Sequence, residues 1–483
     1  MTYALIPLAL AVVCVWLGHR MLTAILLMGY LSIEGFLKLL SNYNRIVHVG
    51  MDILVLSLAG WLTLGAMLRR RRGIPDLPWT WLILLYALWI VLQVFNPHSA
   101  GLVVSLASFK VHLTMIPLYF IVAGLFREPK DVSRFLAALA AIGLAPYGMA
   151  LVQYALGPSS VLDLSPRFWQ NISYFHEWRP FGTSATPGGS AVFAMLITPL
   201  AMVLLMTPGP TRSSRLVALL SIALAIGTFV VSGGRQVFLA CVLAVLLMVA
   251  LLATRGRGRG VLVLVLVMAV GLGSYVGVEN FLRPMATEAV ARDPRAPDIW
   301  RERDVTARLL TLTEAGTFAE SRANPINGIL YRARHYPFGA GLGRTGSAAG
   351  AFQAQINATR ESAQINSEVG WSDNFFSDVI VEAGVPGAIM LTTILIGMIV
   401  GAMRLARRAV DPVVGAASAA VAGVFVSILA MSWGSQPLLS NPITAFFWVL
   451  AGMVAGMRHM EAEMAAEQVE AAEAAEAVPA LAR

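Results

Sequence analysis

The sequence has little charge and almost no cysteine. Asp, Glu, Lys and Arg make up 13% of its 483 residues, whereas 57% are hydrophobic and the mean hydropathy is +0.71. Because soluble domains carry about a quarter charged residues, a soluble globular protein is excluded. Both cysteines, Cys14 and Cys241, lie in apolar runs, so neither a disulfide framework nor a cysteine-based zinc site is available.

Long apolar runs dominate the chain, and they are continuous instead of alternating. Backbone polar groups in lipid must be satisfied internally, so such runs predict membrane helices and not a barrel. Residues 1–20 lack a basic leading segment and a small-residue cleavage site, which indicates a first membrane helix and not a removable signal. We therefore expect an all-α, polytopic bundle of about 12–13 transmembrane helices. The predicted spans are 3–17, 21–40, 51–68, 79–95, 111–126, 135–156, 191–206, 216–231, 237–252, 261–276, 385–403, 413–431 and 443–457.

Arginine and lysine collect on alternate loops, and this pattern predicts the orientation. Basic residues beside membrane spans favour the cytoplasmic side. Segments 96–110, 157–190, 278–384 and 432–442 are then expected outside, with the N-terminus outside and the tail inside. The basic loops on the predicted cytoplasmic face contain Arg69 to Arg72; Arg127, Lys130 and Arg134; Arg212 and Arg215; Arg255, Arg257 and Arg259; and Arg404, Arg407 and Arg408.

Four regions follow from these assignments. Residues 1–277 hold helices 1–10, residues 278–384 form a large extracytoplasmic loop domain, residues 385–457 hold helices 11–13, and residues 458–483 form a cytoplasmic tail rich in Ala and Glu. From 278 to 371 the loop has eleven arginines, ten carboxylates and no lysine, so its net charge is near zero. A solvated, salt-bridged cap explains most of these arginines, whereas those nearer the membrane suit bidentate contacts to phosphate.

Two arginines open membrane helices on the predicted outer side. Arg179 begins the run R-P-F-G-T at 179–183, and Arg235 follows two glycines in the run S-G-G-R-Q-V-F-L at 232–239. Each arginine is either an interfacial anchor with its head group in water or an anion ligand directed into the bundle. Position alone favours the anchor, but the paired glycines allow a backbone or a ligand to approach closely.

Two further patterns lie late in the predicted loop. The run R-A-R-H-Y-P-F-G-A-G-L-G at 332–343 is rich in glycine, but it lacks the preceding strand and the spacing of a nucleotide loop, so a nucleotide site is rejected. Asp373 and Asn374 are followed, nine residues later, by the run from Gly384 to Gly387 (G-V-P-G). A carboxylate at the mouth of a helix bundle is a general base, a proton-relay group or only a helix N-cap.

Together these patterns resemble the O-antigen ligase and Wzy-type polysaccharide polymerase superfamily, bacterial membrane enzymes that act on undecaprenyl-pyrophosphate-linked glycans. The resemblance covers roughly residues 79–457. It is carried by R-P-x-G-T, by R-x-x-x-L from Arg235 to Leu239, by the glycine run ending at Gly343 and by the motif at the exit of the loop. We call this last pattern, from Asp373 to Gly387, the loop-exit motif. The family's loop-exit motif begins with His, and Asp373 stands in that place here. The superfamily implies about twelve helices and one large outer loop late in the chain, in agreement with the predicted spans.

The resemblance implies a metal-independent glycosyltransferase without a cofactor, whose active site lies on the outer face between the bundle and the loop. Arg179 and Arg235 are expected to stabilise the leaving diphosphate, and Asp373 is expected to accept the proton of the acceptor hydroxyl. These three are the predicted catalytic residues. The predicted substrate-binding residues are Arg322, Arg332, Asn374, Gly341 and Gly343.

Asp373 also bears on which reaction is catalysed. A neutral imidazole takes up and passes on a proton near neutral pH, whereas an ordinary carboxylate does so less readily. We therefore expect polymerisation of lipid-linked repeat units in exopolysaccharide or O-antigen synthesis, with ligation of a finished glycan to a lipid core or a protein as the alternative. The expected partners are the undecaprenyl-pyrophosphate-linked glycan, membrane lipids and a chain-length regulator or another envelope assembly protein, with no nucleic acid. The expected location is the bacterial inner membrane.

Two interpretations from other classes stay open. A transporter is suggested by the many spans and by Glu34, Lys38 and Lys110 in or beside them, but no inverted repeat and no matching pair of broken helices is evident. Glu34 and Lys38, four residues apart, are expected to pair on one helix face. A nonenzymatic partner in envelope assembly would lose nothing when Arg235 is changed. The histidines expected to be structural, since none has metal-ligand spacing, are His112, His176 and His335.

Overall fold

The computed structural model describes residues 9, 10, 13, 20–41, 50–68, 77–164, 178–254, 259–294, 296, 325–345 and 374–481. Within these residues all regular secondary structure is helical. The helices are α1 (Arg20–Leu40), α2 (Gly50–Leu68), α3 (Thr80–Val94), α4 (Leu102–Leu113), α5 (Pro117–Ala123), α6 (Pro129–Leu156), α7 (Ser159–Leu162), α8 (Gly189–Met206), α9 (Arg212–Ser232), α10 (Arg235–Ala253), α11 (Arg259–Gly277), α12 (Arg283–Arg292), α13 (Pro325–His335), α14 (Phe375–Arg408), α15 (Pro412–Met431) and α16 (Ile443–Leu481). A π-helical segment, Val278–Leu282, joins α11 to α12, and a 3-10 turn, Pro437–Leu439, precedes α16.

Ten helical stretches in the described part of the chain are long and apolar enough to cross a membrane. This finding confirms the prediction of a polytopic, all-helical membrane protein. The predicted spans at 51–68 and 79–95 correspond to α2 and α3, which are 19 and 15 residues long. The predicted span at 3–17 lies mostly outside the described residues.

Three helix boundaries differ from the predicted ones. The stretch that the sequence predicts at 111–126 begins earlier, with α4 at Leu102, and is divided before Pro117. After α11 the helix continues through the π-helical segment to Arg292, past the predicted boundary at 277. α14 begins at Phe375 and not at 385. Apolar runs mark only the part of a helix that needs lipid, so helical turns beyond that part escape the prediction.

α8 lies at the centre of the bundle. In its membrane-length window 89% of the residues are buried, against 6% for Val265–Arg292, which therefore lies at the periphery. Small residues let α16 approach α5: an added Cβ on Gly452 would lie 2.5 Å from the carbonyl oxygen of Tyr119, and one on Gly456 would lie 2.5 Å from that of Ala123. Two glycines one turn apart are a common packing device between membrane helices.

The bundle has two ends that differ in composition. The turn between α9 and α10 marks one of them, which we call the Arg235 end. The opposite end, where α8, α10 and α14 terminate, is called the basic end because arginines follow or close these helices. At the basic end Glu461 of α16 accepts hydrogen bonds from the backbone N–H groups of Val410 (2.7 Å) and Asp411 (3.0 Å). The predicted tail therefore begins as an ordered continuation of α16.

Candidate functional site

The run R-P-F-G-T lies in a loop that α6 holds through one side chain. Gln153 Oε1 accepts hydrogen bonds from the backbone N–H groups of Phe181 (2.9 Å) and Gly182 (2.7 Å), and Gln153 Nε2 donates to the Gly182 carbonyl at 3.0 Å. Gln153 is 2% exposed. Buried backbone groups need partners, so Gln153 fixes the path of the loop directly after Arg179. Arg179 itself is half-buried.

The last residue of this run docks into α1. Thr183 donates its hydroxyl hydrogen to the carbonyl oxygen of Ser32, and its own carbonyl accepts a hydrogen bond from the N–H of Phe36 at 2.8 Å. Gly35 makes this contact possible, since an added Cβ there would lie 2.3 Å from the backbone nitrogen of Ala185. The loop is thus fixed against α6 on one side and α1 on the other.

The loop of residues 178–188, which we call the Arg179 loop, is a neighbour of the α9–α10 turn. Gly188, which precedes α8, donates its N–H to the carbonyl of Pro180 at 2.8 Å. An added Cβ on Gly188 would lie 3.5 Å from the carbonyl oxygen of Ser232, and one on Gly234 would lie 4.0 Å from Ala191 Cβ. The N-terminus of α8 therefore lies between the two arginine-bearing segments and holds them at the same end of the bundle.

Arg235 begins α10 directly after a tight turn. Gly233 caps α9 in the left-handed conformation (φ 58°), and the N–H of Arg235 donates to its carbonyl at 3.1 Å. The arginine side chain is half-buried, and its Nε atom is buried without a hydrogen-bond partner among the described residues. A snorkelling anchor would keep its donors in water. The buried Nε instead favours the anion-ligand alternative, because an anion would supply the acceptor.

The loop-exit motif joins this cluster through the end of α15. Asn374 is the N-cap of α14: its side-chain oxygen accepts from the N–H of Ser377 at 3.0 Å, and its Nδ2 donates to the carbonyl of Trp433 at 3.1 Å. Gln236, next to Arg235, donates to the carbonyl of Met431 at 3.1 Å. Both segments thus contact residues 431–433. The N-cap of α14, a role that the sequence also allows for Asp373, is Asn374.

The glycine run packs between the bundle helices instead of lining an open surface. Gly339, Gly341 and Gly343 all have positive φ (88°, 83° and 81°), which disfavours a side chain. An added Cβ on Gly341 would lie 2.8 Å from Ser99, and one on Gly343 would lie 2.7 Å from Val104. The structure therefore gives Gly341 a close-packing role against the segment between α3 and α4, and Gly343 one against the first turn of α4. Their predicted contact with substrate stays a prediction.

Polar side chains of α3 and α4 satisfy the carbonyl groups of this run. Gln93 donates to Phe338 at 2.8 Å, and Ser105 donates to Leu342 at 3.2 Å. A run of backbone that enters a bundle without forming a helix needs such partners. The glycine run is therefore packed within the bundle, with these two carbonyl groups hydrogen-bonded to bundle helices.

Arg332 belongs to α13 and not to the segments that form this cluster. Arg332 is half-buried on α13, which packs against α14. On the same helix the ring of His335 stacks on Tyr331 with 3.9 Å between centroids. Arg322 and Asp373 lie outside the described residues. The structure thus brings together the Arg179 loop, Arg235 and Asn374.

The charged residues that suggested transport are paired. The predicted Glu34–Lys38 pair is confirmed, with 2.8 Å between Nζ and the carboxylate. Lys110 of α4 lies 2.5 Å from the carboxylate of Asp52 on α2. The first pair lies within α1 and the second links α4 to α2, and both neutralise charge inside the bundle.

Glu382 lies between Asn374 and Gly384 in the loop-exit motif, but it is not among the predicted site residues. Its carboxylate is 2% exposed and accepts hydrogen bonds from Ser108 Oγ (2.7 Å) and the Gly343 N–H (2.9 Å). It also lies 2.9 Å from Nε2 of His112, which the sequence analysis expected to be merely structural. The available signal was an ionisable residue inside a stretch that is otherwise apolar.

A comparison with known families matches part of the chain. The O-antigen ligase family model (Wzy_C) matches residues 220–392. The matched range contains Arg235, the glycine run and Glu382, while Arg179 precedes it. No curated protein matches the chain. Residues 220–392 are therefore similar to the O-antigen ligase family, which confirms the predicted resemblance to the O-antigen ligase and Wzy-type polymerase superfamily.

Proposed function

We propose that this protein transfers glycan from a polyprenyl diphosphate carrier to an acceptor hydroxyl at the Arg235 end of the bundle. The observation that carries the proposal is the convergence of three segments there. The Arg179 loop contacts the α9–α10 turn through Gly188 and Ser232. Gln236, directly after that turn, and Asn374, at the start of α14, both donate hydrogen bonds to carbonyl groups within residues 431–433. The two arginine-bearing segments and Asn374, which follows Asp373 in the sequence, thus belong to one end of the bundle.

The chemistry needs a diphosphate clamp and a proton acceptor. The acceptor oxygen forms a bond to the anomeric carbon of the donor sugar, and the bond from that carbon to the diphosphate oxygen breaks. The electron pair of that bond leaves on the diphosphate, and the hydroxyl proton passes to the carboxylate of Asp373. Guanidinium groups already in place stabilise the growing charge of the leaving group, the role proposed for Arg179 and Arg235. The buried Nε of Arg235 supports this role.

Polymerisation of repeat units is proposed over ligation because Asp373 replaces the His of the ligase motif. The test is deletion of the gene, followed by analysis of the lipid-linked pool and the surface glycan. Loss of a polymerase leaves single repeat units on the carrier lipid. Loss of a ligase leaves long chains on the same lipid, and that outcome would replace the polymerase by the ligase.

The proposed setting is the bacterial inner membrane, with the Arg235 end facing the periplasm or the cell exterior. The alternation of basic loops supports this orientation. In that setting the carrier lipid is undecaprenyl diphosphate, and its diphosphate lies at the membrane surface near the two arginines. A chain-length regulator or another envelope assembly protein is the proposed protein partner.

A further inference from the structure

Glu382 joins two parts of the chain that are far apart in sequence. Ser108 and His112 lie one turn apart on α4, more than 250 residues before Glu382, and Gly343 belongs to the glycine run. One carboxylate oxygen accepts from the Gly343 N–H, and the other meets both α4 side chains. The carboxylate therefore fastens the glycine run and α14 to α4 at a single point.

Tyr86 of α3 extends this network by one residue. Its hydroxyl lies 2.8 Å from Nδ1 of His112, and Tyr86 is 1% exposed. In a neutral imidazole one nitrogen donates and the other accepts. If Nε2 donates to Glu382, Nδ1 accepts from Tyr86, so the two partners together select one tautomer and fix the ring.

The donors around Glu382 select a carboxylate over an amide. The N–H of Gly343 and the hydroxyl of Ser108 both donate, and His112 donates in the tautomer just described. A carboxylate accepts from all three, whereas the NH2 group of a glutamine would either face the Gly343 N–H, which is a donor, or require Ser108 and His112 to accept, which changes the tautomer of the imidazole. A mismatch of this kind in a buried site leaves polar groups unsatisfied.

The first segment of α14 connects Glu382, at one end, to the proposed active site at the other end, where Asn374 is its N-cap. Gly384, with φ 70° and ψ 179°, interrupts the helix and separates the segment 375–383 from the rest of α14. Asp378 and Glu382 are four residues apart and lie on one face. Asp378 accepts a hydrogen bond from Gln436. The segment is thus anchored along its length, and Asp373 directly precedes its N-cap.

We infer that Glu382 is a positioning residue for glycan transfer. It touches no substrate and acts by fixing the segment 375–383, and with it the N-cap residue Asn374, relative to the two arginines. This inference rests on the proposed function. A displacement of about 1 Å in a reacting group lowers turnover about 100-fold even when binding is unchanged. Loss of the Glu382 network is therefore expected to lower kcat and to leave KM for the lipid-linked donor unchanged.

The test compares Glu382→Gln with Glu461→Gln in the full-length protein. Glu461 is a matched control, because its carboxylate is buried like that of Glu382. It accepts hydrogen bonds from two backbone N–H groups, but it lies at the basic end. With lipid-linked glycan extracted from the deletion strain as donor, we expect Glu382→Gln to lower kcat about 100-fold with KM within about twofold. Glu461→Gln should keep both values near wild type. Wild-type kcat in Glu382→Gln, or a loss expressed only in KM, would overturn the inference.

Amide hydrogen exchange provides a readout that does not depend on glycan transfer. Glu382→Gln should speed exchange in the glycine run, because the Gly343 N–H loses its carboxylate partner, while Glu461→Gln should not. If the wild-type protein transfers no glycan, the proposed function fails, and exchange still reports whether the network holds the run. Should Glu382→Gln not fold, Ser108→Ala removes one donor and leaves the carboxylate. An unchanged kcat in a folded Ser108→Ala variant then counts against the inference.

Discussion

Gln153 and Gly182 exchange two hydrogen bonds, with the N–H of Gly182 donating to Oε1 at 2.7 Å and Nε2 donating back to its carbonyl at 3.0 Å. One side-chain amide thus replaces the backbone partner that the loop would find in regular structure. The same Oε1 also accepts from Phe181. The orientation of the Arg179 loop therefore depends on a residue in the last turn of the membrane helix α6.

Replacement of Gln153 by Leu should destabilise the protein and abolish glycan transfer. The substitution leaves the N–H groups of Phe181 and Gly182 and the Gly182 carbonyl without their partner. Each buried polar group left unsatisfied costs about 1–3 kcal/mol. Thermal denaturation in detergent measures the loss. Val152→Ala, at an exposed position of the same helix, is the control. A Gln153→Leu variant with wild-type stability would refute the role of this clamp.

Replacement of Arg235 or Arg179 by Ala should abolish glycan transfer while the protein still inserts and folds. The physical reason is loss of the charge that stabilises the leaving diphosphate. A Lys replacement should rescue only in part, because an ammonium group lacks the bidentate fork of a guanidinium. Polymer formation in cells and membrane levels of the protein are the two measurements.

Arg283→Ala is the matched control for these variants. Arg283 opens α12 and pairs with Glu279 at 2.6 Å, so its loss removes an arginine that belongs neither to the Arg179 loop nor to the α9–α10 turn. Polymer formation should stay at the wild-type level. Normal polymer from both Arg179→Ala and Arg235→Ala would reject the diphosphate clamp.

The sequence predicts the helices well where lipid alone requires them, and less well elsewhere. An apolar run such as that of α8 must form a helix in a bilayer, because every backbone group must be paired within the run. Residues 375–383 are helical for another reason, since Asn374 caps them and Asp378 and Glu382 have partners on other elements. No local pattern reveals those partners.

The candidate site shows the same division. Arg179 and Arg235 are visible in the sequence because charged residues stand out against an apolar background. The pairing of Glu382 with His112 joins positions 270 residues apart, so spacing along the chain carries no information about it. The docking of Thr183 into α1 is likewise a tertiary contact that only the folded bundle defines.

Replacement of Gly343 by Ala should be strongly destabilising. An alanine at φ 81° is strained, and its Cβ would lie 2.7 Å from a methyl group of Val104 and 3.0 Å from the Val104 backbone. The left-handed conformation alone costs about 1–2 kcal/mol. Gly277→Ala, where an added Cβ meets nothing within 4 Å, is the control. Equal melting temperatures for the two variants would show that the glycine run is not closely packed.

The final prediction concerns the side of the membrane that each end of the bundle faces. Two exposed serines provide a matched pair: Ser440 precedes α16 at the Arg235 end, and Ser213 lies in the first turn of α9 at the basic end. In a background without Cys14 and Cys241, each serine is replaced by cysteine, and intact cells are treated with a membrane-impermeant thiol reagent. Positive residues favour the cytoplasmic side, so Ser440→Cys should react in intact cells and Ser213→Cys only after permeabilisation.

Tags test the same orientation independently: one inserted between 284 and 320 should be extracytoplasmic, and tags near Arg257 or after Glu470 should be cytoplasmic. The result matters for the mechanism, because a carrier-linked repeat unit on the outer leaflet reaches only the end that faces outward. Labelling of Ser213→Cys but not Ser440→Cys in intact cells would show that the bundle has the opposite orientation in the membrane. The arginine cluster would then face the cytoplasm, and an extracytoplasmic glycan transfer at Arg235 would be ruled out.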